Sequence, residues 1–159
     1  MPAGVDRVRL RLWLRLLAAS ASIERTVQHR LRGEYGTTLP RFDVMAALER
    51  APEGLSMSEL SRRLMVTNGN TTALIARLER DGLVRRTGSP IDRRSVTVTL
   101  TRKGRRTFER LAAAHARWIK ELLGGIDDEH CGQLSELLHG LRVEVESSAG
   151  PASRGGRRT

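Results

Sequence analysis

The side chains best suited to chemistry in this 159-residue sequence are basic and polar groups in its middle third. Between Arg85 and Arg106, eight basic residues stand against the single acid Asp92, a net charge of +7. The guanidinium fork matches phosphate and guanine edges, asparagine can pair with adenine, and threonine can touch a thymine methyl group. The residues of these types that are placed to contact DNA are Thr67, Asn68, Asn70, Arg77, Arg93 and Arg94.

The charge of the whole chain supports a polyanionic partner. The formal net charge is +10, and all but Lys103 and Lys120 of the 28 basic residues are arginine. Codon bias in a GC-rich genome explains much of the choice of arginine over lysine, but it does not explain the sign of the charge. An excess of positive charge implies affinity for nucleic acid.

Other chemistry finds little support in the sequence. The four histidines form no pair spaced by four residues, and Cys131 is the only cysteine, so we predict no metal site, no cofactor and no enzymatic activity. A lone thiol favours a reduced, cytoplasmic setting. Arginines at 7, 9, 11 and 15 interrupt the apolar N-terminal residues, so we expect neither a signal peptide nor a membrane span.

The polar residues belong to a pair of short predicted helices. Ser56 and Glu59 have the spacing of a capping box, which starts a helix that runs to about residue 65. Thr67 is the expected N-cap of the next helix, which runs to residue 81 before Gly82. Its inner face is predicted to consist of Thr71, Leu74, Ile75 and Leu78.

A predicted β-hairpin follows this helix pair. Residues 83–86 and 95–100 are the expected strands, and Val96, Val98 and Leu100 alternate on one face of the second. The Gly/Ser/Pro/Asp-containing stretch between the strands is a loop. Asp92 is placed to orient Arg93 or Arg94 before DNA arrives.

Longer helices flank this central region. We predict the first at residues 5–33, ended by Gly33 and Gly36, and the second to about residue 49, with Pro40 in its first turn. Two more are predicted at 102–124, with Thr101 as the N-cap, and from about residue 127 onward. Leu14 and Leu17 widen the apolar surface of the first helix, which suggests two partners for it, one of them a second subunit. Residues 147–159 have the composition of a disordered basic tail.

The order of these elements predicts a mainly α fold with a small β-hairpin wing: a winged helix-turn-helix with helical extensions. In this plan the helix at 67–81 enters the major groove, and the basic hairpin tip reaches the adjacent minor groove.

Several stretches resemble the MarR family of bacterial regulators. They are Leu-Pro-Arg-Phe-Asp-Val-Met at 39–45, Leu-Ser-Arg-Arg-Leu at 60–64, the run from Leu74 to Val84, Asp-Arg-Arg at 92–94 and Val-Thr-Leu-Thr-Arg-Lys-Gly at 98–104. The resemblance implies a homodimer that binds a pseudo-palindromic operator in double-stranded DNA. Residues 5–35 and 102–146 would form the dimerisation region, and residues 38–101 the DNA-binding domain.

The resemblance also implies site residues. The candidate DNA contacts are Ser56, Thr67, Asn68, Asn70, Thr72, Arg77, Arg93 and Arg94. Gly69 and Ala73 leave few side chains for base readout. Family members often repress a gene and release DNA on binding a small aromatic or phenolic acid. The candidate effector contacts are Trp13, Tyr35, Arg41 and Trp118, with arginine pairing a carboxylate.

Three functional classes fit the sequence. The first is a ligand-responsive, sequence-specific repressor, which would prefer its own promoter over random DNA by roughly 10³-fold or more. The second is an architectural DNA binder with little sequence preference. The third is a protein-interaction module, whose DNA binding would depend weakly on salt.

Overall fold

The computed structural model describes residues 6–64, 68–88 and 96–148, within two compact units, residues 1–119 and 120–159. Six helices and three strands are present in these described ranges. The prediction of a mainly α fold with a small β-hairpin wing is confirmed.

The first helix, α1, runs from Arg7 to Tyr35. The Asp6 carboxylate accepts the N–H groups of Val8 and Arg9 at 3.1 Å each and caps its start. Gly36 ends it with φ 59°, a left-handed conformation that favours glycine. The prediction that Gly33 would end the helix was wrong, because a single glycine weakens a helix by only about 1 kcal/mol and does not stop it.

Helix α2 runs from Leu39 to Glu49, with Pro40 in its first turn as predicted. Its N-cap position, Thr38, makes no side-chain cap. The side chain of Gln28 in α1 replaces that cap, since its Oε1 accepts the N–H of Leu39 at 2.8 Å. The start of α2 is therefore fixed to the body of α1.

The predicted helix pair is α3, Met57–Leu64, and α4, Asn68–Arg80. Ser61 donates a buried hydrogen bond of 2.9 Å to the Thr71 hydroxyl, which joins the two helices. Ile75 and Leu78 are fully buried, as predicted, and Gly82 follows with φ 70°. This polar and apolar contact fixes the orientation of α4.

The sheet has three antiparallel strands in the order β1-β3-β2. They are β1, Leu55–Ser56, β2, Val84–Gly88, and β3, Val96–Leu100. The hairpin was predicted, but β1 was missed because two residues carry no alternating pattern. The predicted alternation in β3 holds only in part, since Val98 is buried and its neighbours at 96 and 100 are half-buried.

Helix α5 runs from Arg102 to Leu122. Thr101 caps it as predicted, because its Oγ1 accepts the Gly104 N–H at 2.9 Å. The same hydroxyl donates to the Gly82 carbonyl at 2.7 Å and so joins α5 to the end of α4. The basic residues from 102 to 106 therefore belong to a helix and not to the hairpin.

The second unit contains α6, Asp128–Ser148, which has no buried residue. Asp127 accepts the His130 N–H at 2.9 Å at its start. The helix ends two residues inside the predicted tail, and residues 149–159 of that tail lie outside the described ranges. No helix in the described ranges has the length and apolar character needed to cross a membrane.

Candidate nucleic-acid interface

The outward face of α4 carries three of the candidate DNA-contact positions. Asn70, Thr72 and Arg77 are exposed, while Thr71 and Ile75 point into the core. The core face is fixed by the spacing of its apolar residues, so the opposite polar face must point outward. Thr67 and the side chain of Asn68 lie outside what the structure describes.

A shallow groove of about 380 Å³ runs beside this face. Asn70, Ala73 and Arg77 line it from α4, and Thr38 and Pro40 line it from the start of α2. Asn70 and Arg77, seven residues apart and thus two turns along the helix, therefore lie on one surface. Ala73 lies between them, so the middle of this surface carries only a methyl side chain. Which residues would read bases stays a prediction.

Ser56 is engaged in the capping box. Its N–H and its hydroxyl both donate to Glu59 Oε2, at 2.8 and 2.7 Å, and its Oγ accepts the Glu59 N–H at 3.2 Å. The backbone and then the side-chain hydrogen bonds from Ser56 lower the pKa of Glu59. The hydroxyl proton of Ser56 is therefore used inside the protein, and its contact with DNA stays a prediction.

Several of the eight basic residues between Arg85 and Arg106 bind carboxylate or carbonyl groups within the chain. Arg86 Nε lies 2.7 Å from Glu79 Oε2, and this contact lowers the pKa of Glu79. Arg105 Nη1 lies 3.0 Å from Glu49 Oε2, and Lys103 Nζ donates to the Asp81 carbonyl at 2.8 Å. The net charge of +7 counted over residues 85–106 therefore overstates the number of positive charges that are free to bind DNA phosphates. Sequence reasoning missed these acidic partners because Glu49 and Arg105 are distant in the chain.

The predicted wing-tip residues Asp92, Arg93 and Arg94 lie outside the described ranges, between the end of β2 and the start of β3 in the sequence. The pairing of Gly88 with Val96 shows only where the two strands enter and leave the wing. Their contact with the minor groove stays a prediction.

The structure brings together three of the four candidate effector residues. The rings of Tyr35 and Trp118 lie edge to face with centroids 5.9 Å apart, and Arg30 lies over Trp118 at 5.9 Å. Tyr35 and Arg41 line a cavity of about 170 Å³, while Trp118, only 3% exposed, contacts the Tyr35 ring. Trp13 lies roughly 33 Å from Tyr35 along α1 and is 56% exposed.

A larger groove, of about 690 Å³, was not anticipated from the sequence. It lies between α2, the end of α3 and α5, and its walls include Phe42, Asp43, Arg63 and His115. The His115 ring stacks on Phe42 at 4.8 Å, and burial lowers its pKa. Burial, and then the charge of Glu24, raises the pKa of Asp43. No periodic or motif signal marks such a groove, because its walls come from three separate elements.

Metal coordination has no geometric support in the part of the chain that the structure describes. No group of three or more His, Cys, Asp or Glu side chains there is arranged to hold a metal ion. Cys131 is a free thiol near the start of α6.

Comparison with known proteins gives consistent matches. A family model described as the MarR family matches residues 35–95. The transcriptional activatory protein BadR of Rhodopseudomonas palustris is 37% identical over 134 residues, which cover 82% of this chain and 74% of that protein.

Solved structures agree with this match. A MarR family transcriptional regulator from Silicibacter pomeroyi is 35% identical with a TM-score of 0.76, covering 89% of this chain and 99% of that one. Streptococcus pneumoniae FabT, solved in complex with DNA, is 26% identical with a TM-score of 0.72, covering 87% and 98%. The similarity extends over most of each chain and is not confined to the helix pair.

Proposed function

The chain belongs to the MarR family of DNA-binding transcriptional regulators, which are not enzymes, and from this premise we propose that it is a sequence-specific repressor released by a small aromatic or phenolic acid. It would act in the bacterial cytoplasm, at the nucleoid, as a homodimer on double-stranded DNA.

The observation that carries this proposal is that α4 exposes a polar face while its opposite face is buried. Its inner face is fixed by the buried Ser61–Thr71 hydrogen bond and by Ile75, so its outer face is rigid and polar. A helix placed in this way can enter a major groove with its N-terminal end first. Asn70 would then be positioned for a base edge and Arg77 for a backbone phosphate. The hairpin beside it would carry Arg93 and Arg94 toward the adjacent minor groove.

The dimer is supported by apolar surface that each unit leaves in water. In α1 the side chains of Leu10, Trp13, Leu14 and Leu17 are 46–56% exposed. In α6 those of Leu134, Leu137, Leu138 and Leu141 are 40–73% exposed. Burial against a second copy would remove this surface from water, and each Å² of apolar surface buried would stabilise the dimer by about 25 cal/mol. Two copies of α4 would then read half-sites about 34 Å apart.

Repression is favoured over activation on physical grounds. A dimer that covers a promoter blocks polymerase by occupancy alone, whereas activation also requires a surface that recruits polymerase. Activation is the second candidate, because BadR is named an activatory protein. In a reconstituted transcription assay, repressor action lowers the transcript from the occupied promoter, and activator action raises it.

The decisive experiment is a gel-shift titration with DNA from upstream of the protein's own gene, at physiological salt with excess random competitor. A regulator resists competition, and an architectural binder loses the labelled DNA to the competitor. A protein-interaction module would show only a weak salt dependence. Binding that random DNA abolishes would contradict the proposed function.

The wing is tested in the same assay. Arg93→Ala with Arg94→Ala should weaken operator binding at least ten-fold, about 1.4 kcal/mol or more, since each arginine is proposed to contact the groove. Arg117→Ala with Lys120→Ala, both at exposed positions of α5, removes the same number of positive charges at residues that are not candidate DNA contacts and is the matched control. Both variants should remain dimers in sedimentation. Equal operator affinity in the wing variant and the control would show that the wing tip does not contact DNA.

A further inference from the structure

Glu79, in the last turn of α4, binds one residue of the strand β2 through both of its carboxylate oxygens. Its Oε1 accepts the backbone N–H of Arg86 at 3.1 Å, and its Oε2 accepts the Nε–H of the same residue at 2.7 Å. The Nη2 of Arg86 also lies 2.5 Å from Oε2. One carboxylate thus holds both the backbone and the side chain of Arg86, so β2 cannot move away from α4 without losing these contacts.

Arg86 lies beyond the buried part of β2. In this strand only Val84 is buried, and residues 85–88 are exposed. β2 is also an edge strand, so the backbone groups on its outer side have no neighbouring strand to pair with. Val98, the partner of Arg86 in β3, is fully buried and anchors the other strand of the hairpin. The Glu79–Arg86 contact is the matching anchor on the β2 side.

Glu79 places negative charge close to the proposed DNA-binding face. It follows Arg77, a candidate phosphate contact, by two positions. The side-chain and then the backbone hydrogen bond from Arg86 lower the pKa of Glu79, so the carboxylate is ionised at neutral pH. On electrostatic grounds alone, its removal would strengthen DNA binding, because a carboxylate repels phosphate and holds a guanidinium. A contribution of Glu79 to DNA recognition therefore has to come from geometry.

We propose that Glu79 is a positioning residue for DNA recognition, which fixes β2 against α4 through Arg86 and so sets the separation between the recognition helix and the wing. The inference rests on the proposed function in one respect, because it takes α4 and the wing to contact one half-site together. A wing that samples other positions lowers the fraction of molecules able to make both contacts, and operator affinity falls with that fraction. Random DNA is held mainly by charge and does not require a fixed separation.

The first test measures a specificity ratio, the affinity for the upstream DNA fragment divided by that for random duplex of equal length, in gel-shift titrations. Glu79→Ala removes both acceptor oxygens and keeps a strong helix former in α4. Its specificity ratio should fall about two- to five-fold, the range expected for loss of an exposed ion pair, while its affinity for random DNA stays equal or rises. Glu49→Ala is the matched control. It breaks the Glu49–Arg105 pair, which has similar exposure and joins α2 to α5, and should leave the ratio unchanged.

A double-mutant cycle separates positioning from a direct contact of Arg86 with DNA. Arg86→Gln keeps the backbone N–H that Glu79 accepts, so it should lower the specificity ratio less than Glu79→Ala does. The double variant should match Glu79→Ala, since both residues act through one contact. Additive losses in the double variant, or an unchanged specificity ratio in Glu79→Ala, overturn the proposal.

The second test follows β2 without DNA, by hydrogen exchange. The Arg86 amide should exchange about two- to five-fold faster in Glu79→Ala than in the native chain, and at the native rate in Glu49→Ala. Melting curves check that each variant is folded, and Glu79→Gln, which keeps an acceptor oxygen without the charge, should show the same changes at smaller size. Unchanged exchange in Glu79→Ala overturns the proposal. A native chain without preference for the upstream fragment refutes the proposed function alone, and the exchange result still decides whether Glu79 holds β2.

Discussion

At the scale of single residues, acids decide how much of the positive charge can reach DNA. Glu49, Glu79 and Asp81 each hold a basic side chain within the chain, and each basic partner comes from a different element. Such exposed pairs contribute little to stability, because water screens their charges. Their larger effect is on geometry, because they join α2 to the turn after α4, α4 to β2, and α2 to α5. Each paired arginine is also less available to bind a DNA phosphate.

A single glycine controls how closely α5 approaches the end of α4. A Cβ built at Gly104 would lie 1.9 Å from the Leu83 carbonyl oxygen, whereas one at Gly33 would meet nothing within 4 Å. Gly104→Ala should therefore lower the free energy of unfolding by about 1–3 kcal/mol, because the backbone of Leu83 must shift. Urea denaturation measures this loss.

Gly33→Ala is the matched control in the interior of α1. It should raise the free energy of unfolding by up to about 1 kcal/mol, since alanine favours helix and has open space there. A Gly104→Ala variant as stable as the native chain would show that α5 does not approach Leu83 so closely.

At the scale of elements, α4 is positioned by short contacts at both of its ends. The buried Ser61–Thr71 hydrogen bond fixes the first turn against α3. The turn at Asp81 and Gly82 fixes the last turn against α2 and α5. Because both ends are fixed, α4 presents its outer face as a rigid body, which sequence readout requires.

The capping box of α3 provides a prediction that separates stability from DNA contact. Ser56→Ala should lower the free energy of unfolding by about 1 kcal/mol at neutral pH, because two of its hydrogen bonds to Glu59 are lost. Operator affinity of the folded variant should fall only if Ser56 also contacts DNA. Denaturation and gel-shift titration measure the two effects separately.

The pH dependence of this difference follows from Glu59. The pKa of Glu59 is lower in the folded chain than in the unfolded one, so its contribution is complete above the ordinary glutamate pKa and is lost as the pH falls through the lowered value. The stability gap between the native chain and Ser56→Ala should narrow over that acidic range. A gap that stays constant would mean that the carboxylate does not take part in the cap.

At the scale of the whole molecule, two helices, α1 and α6, leave large apolar side chains exposed to water, which is unfavourable. No residue of α6 is buried, and in α1 only Val27 and Leu31 are. Monomeric soluble proteins rarely expose apolar surface of this extent. The proposed dimer would bury apolar surface of each unit, and the proposed recognition of a two-fold operator also needs it.

Association can be tested on α1. Leu14→Asp with Leu17→Asp should dissociate the proposed dimer in sedimentation equilibrium, because two charges would be buried at its interface. The native chain should melt at a temperature that rises with protein concentration, and the variant should not. Asn70→Asp with Ala73→Asp, at exposed positions of α4 outside the predicted dimerisation region, adds the same two charges and should remain dimeric. A native Tm that is independent of concentration, in a chain that sediments as a monomer, would rule out the dimer.

What the sequence determined by itself was local. Apolar spacing, capping residues and glycines defined the helices and the hairpin, because such signals act over a few residues: Ser56 with Glu59, Thr101 with Gly104, and Gly82 after α4. The motifs that resemble the MarR family also pointed correctly to DNA binding. The strand β1 escaped detection because a strand of two residues exists only through its pairing with β3.

The tertiary structure alone decided which distant side chains meet. Arg41 and Asp81 are forty positions apart and form an ion pair, and Glu49 binds Arg105 across a still longer stretch. No sequence rule anticipates these contacts, because they follow from how the helices pack around a common core. The charge pattern indicated a polyanionic partner, but the packing of the helices determined which basic side chains remain unpaired and able to bind it.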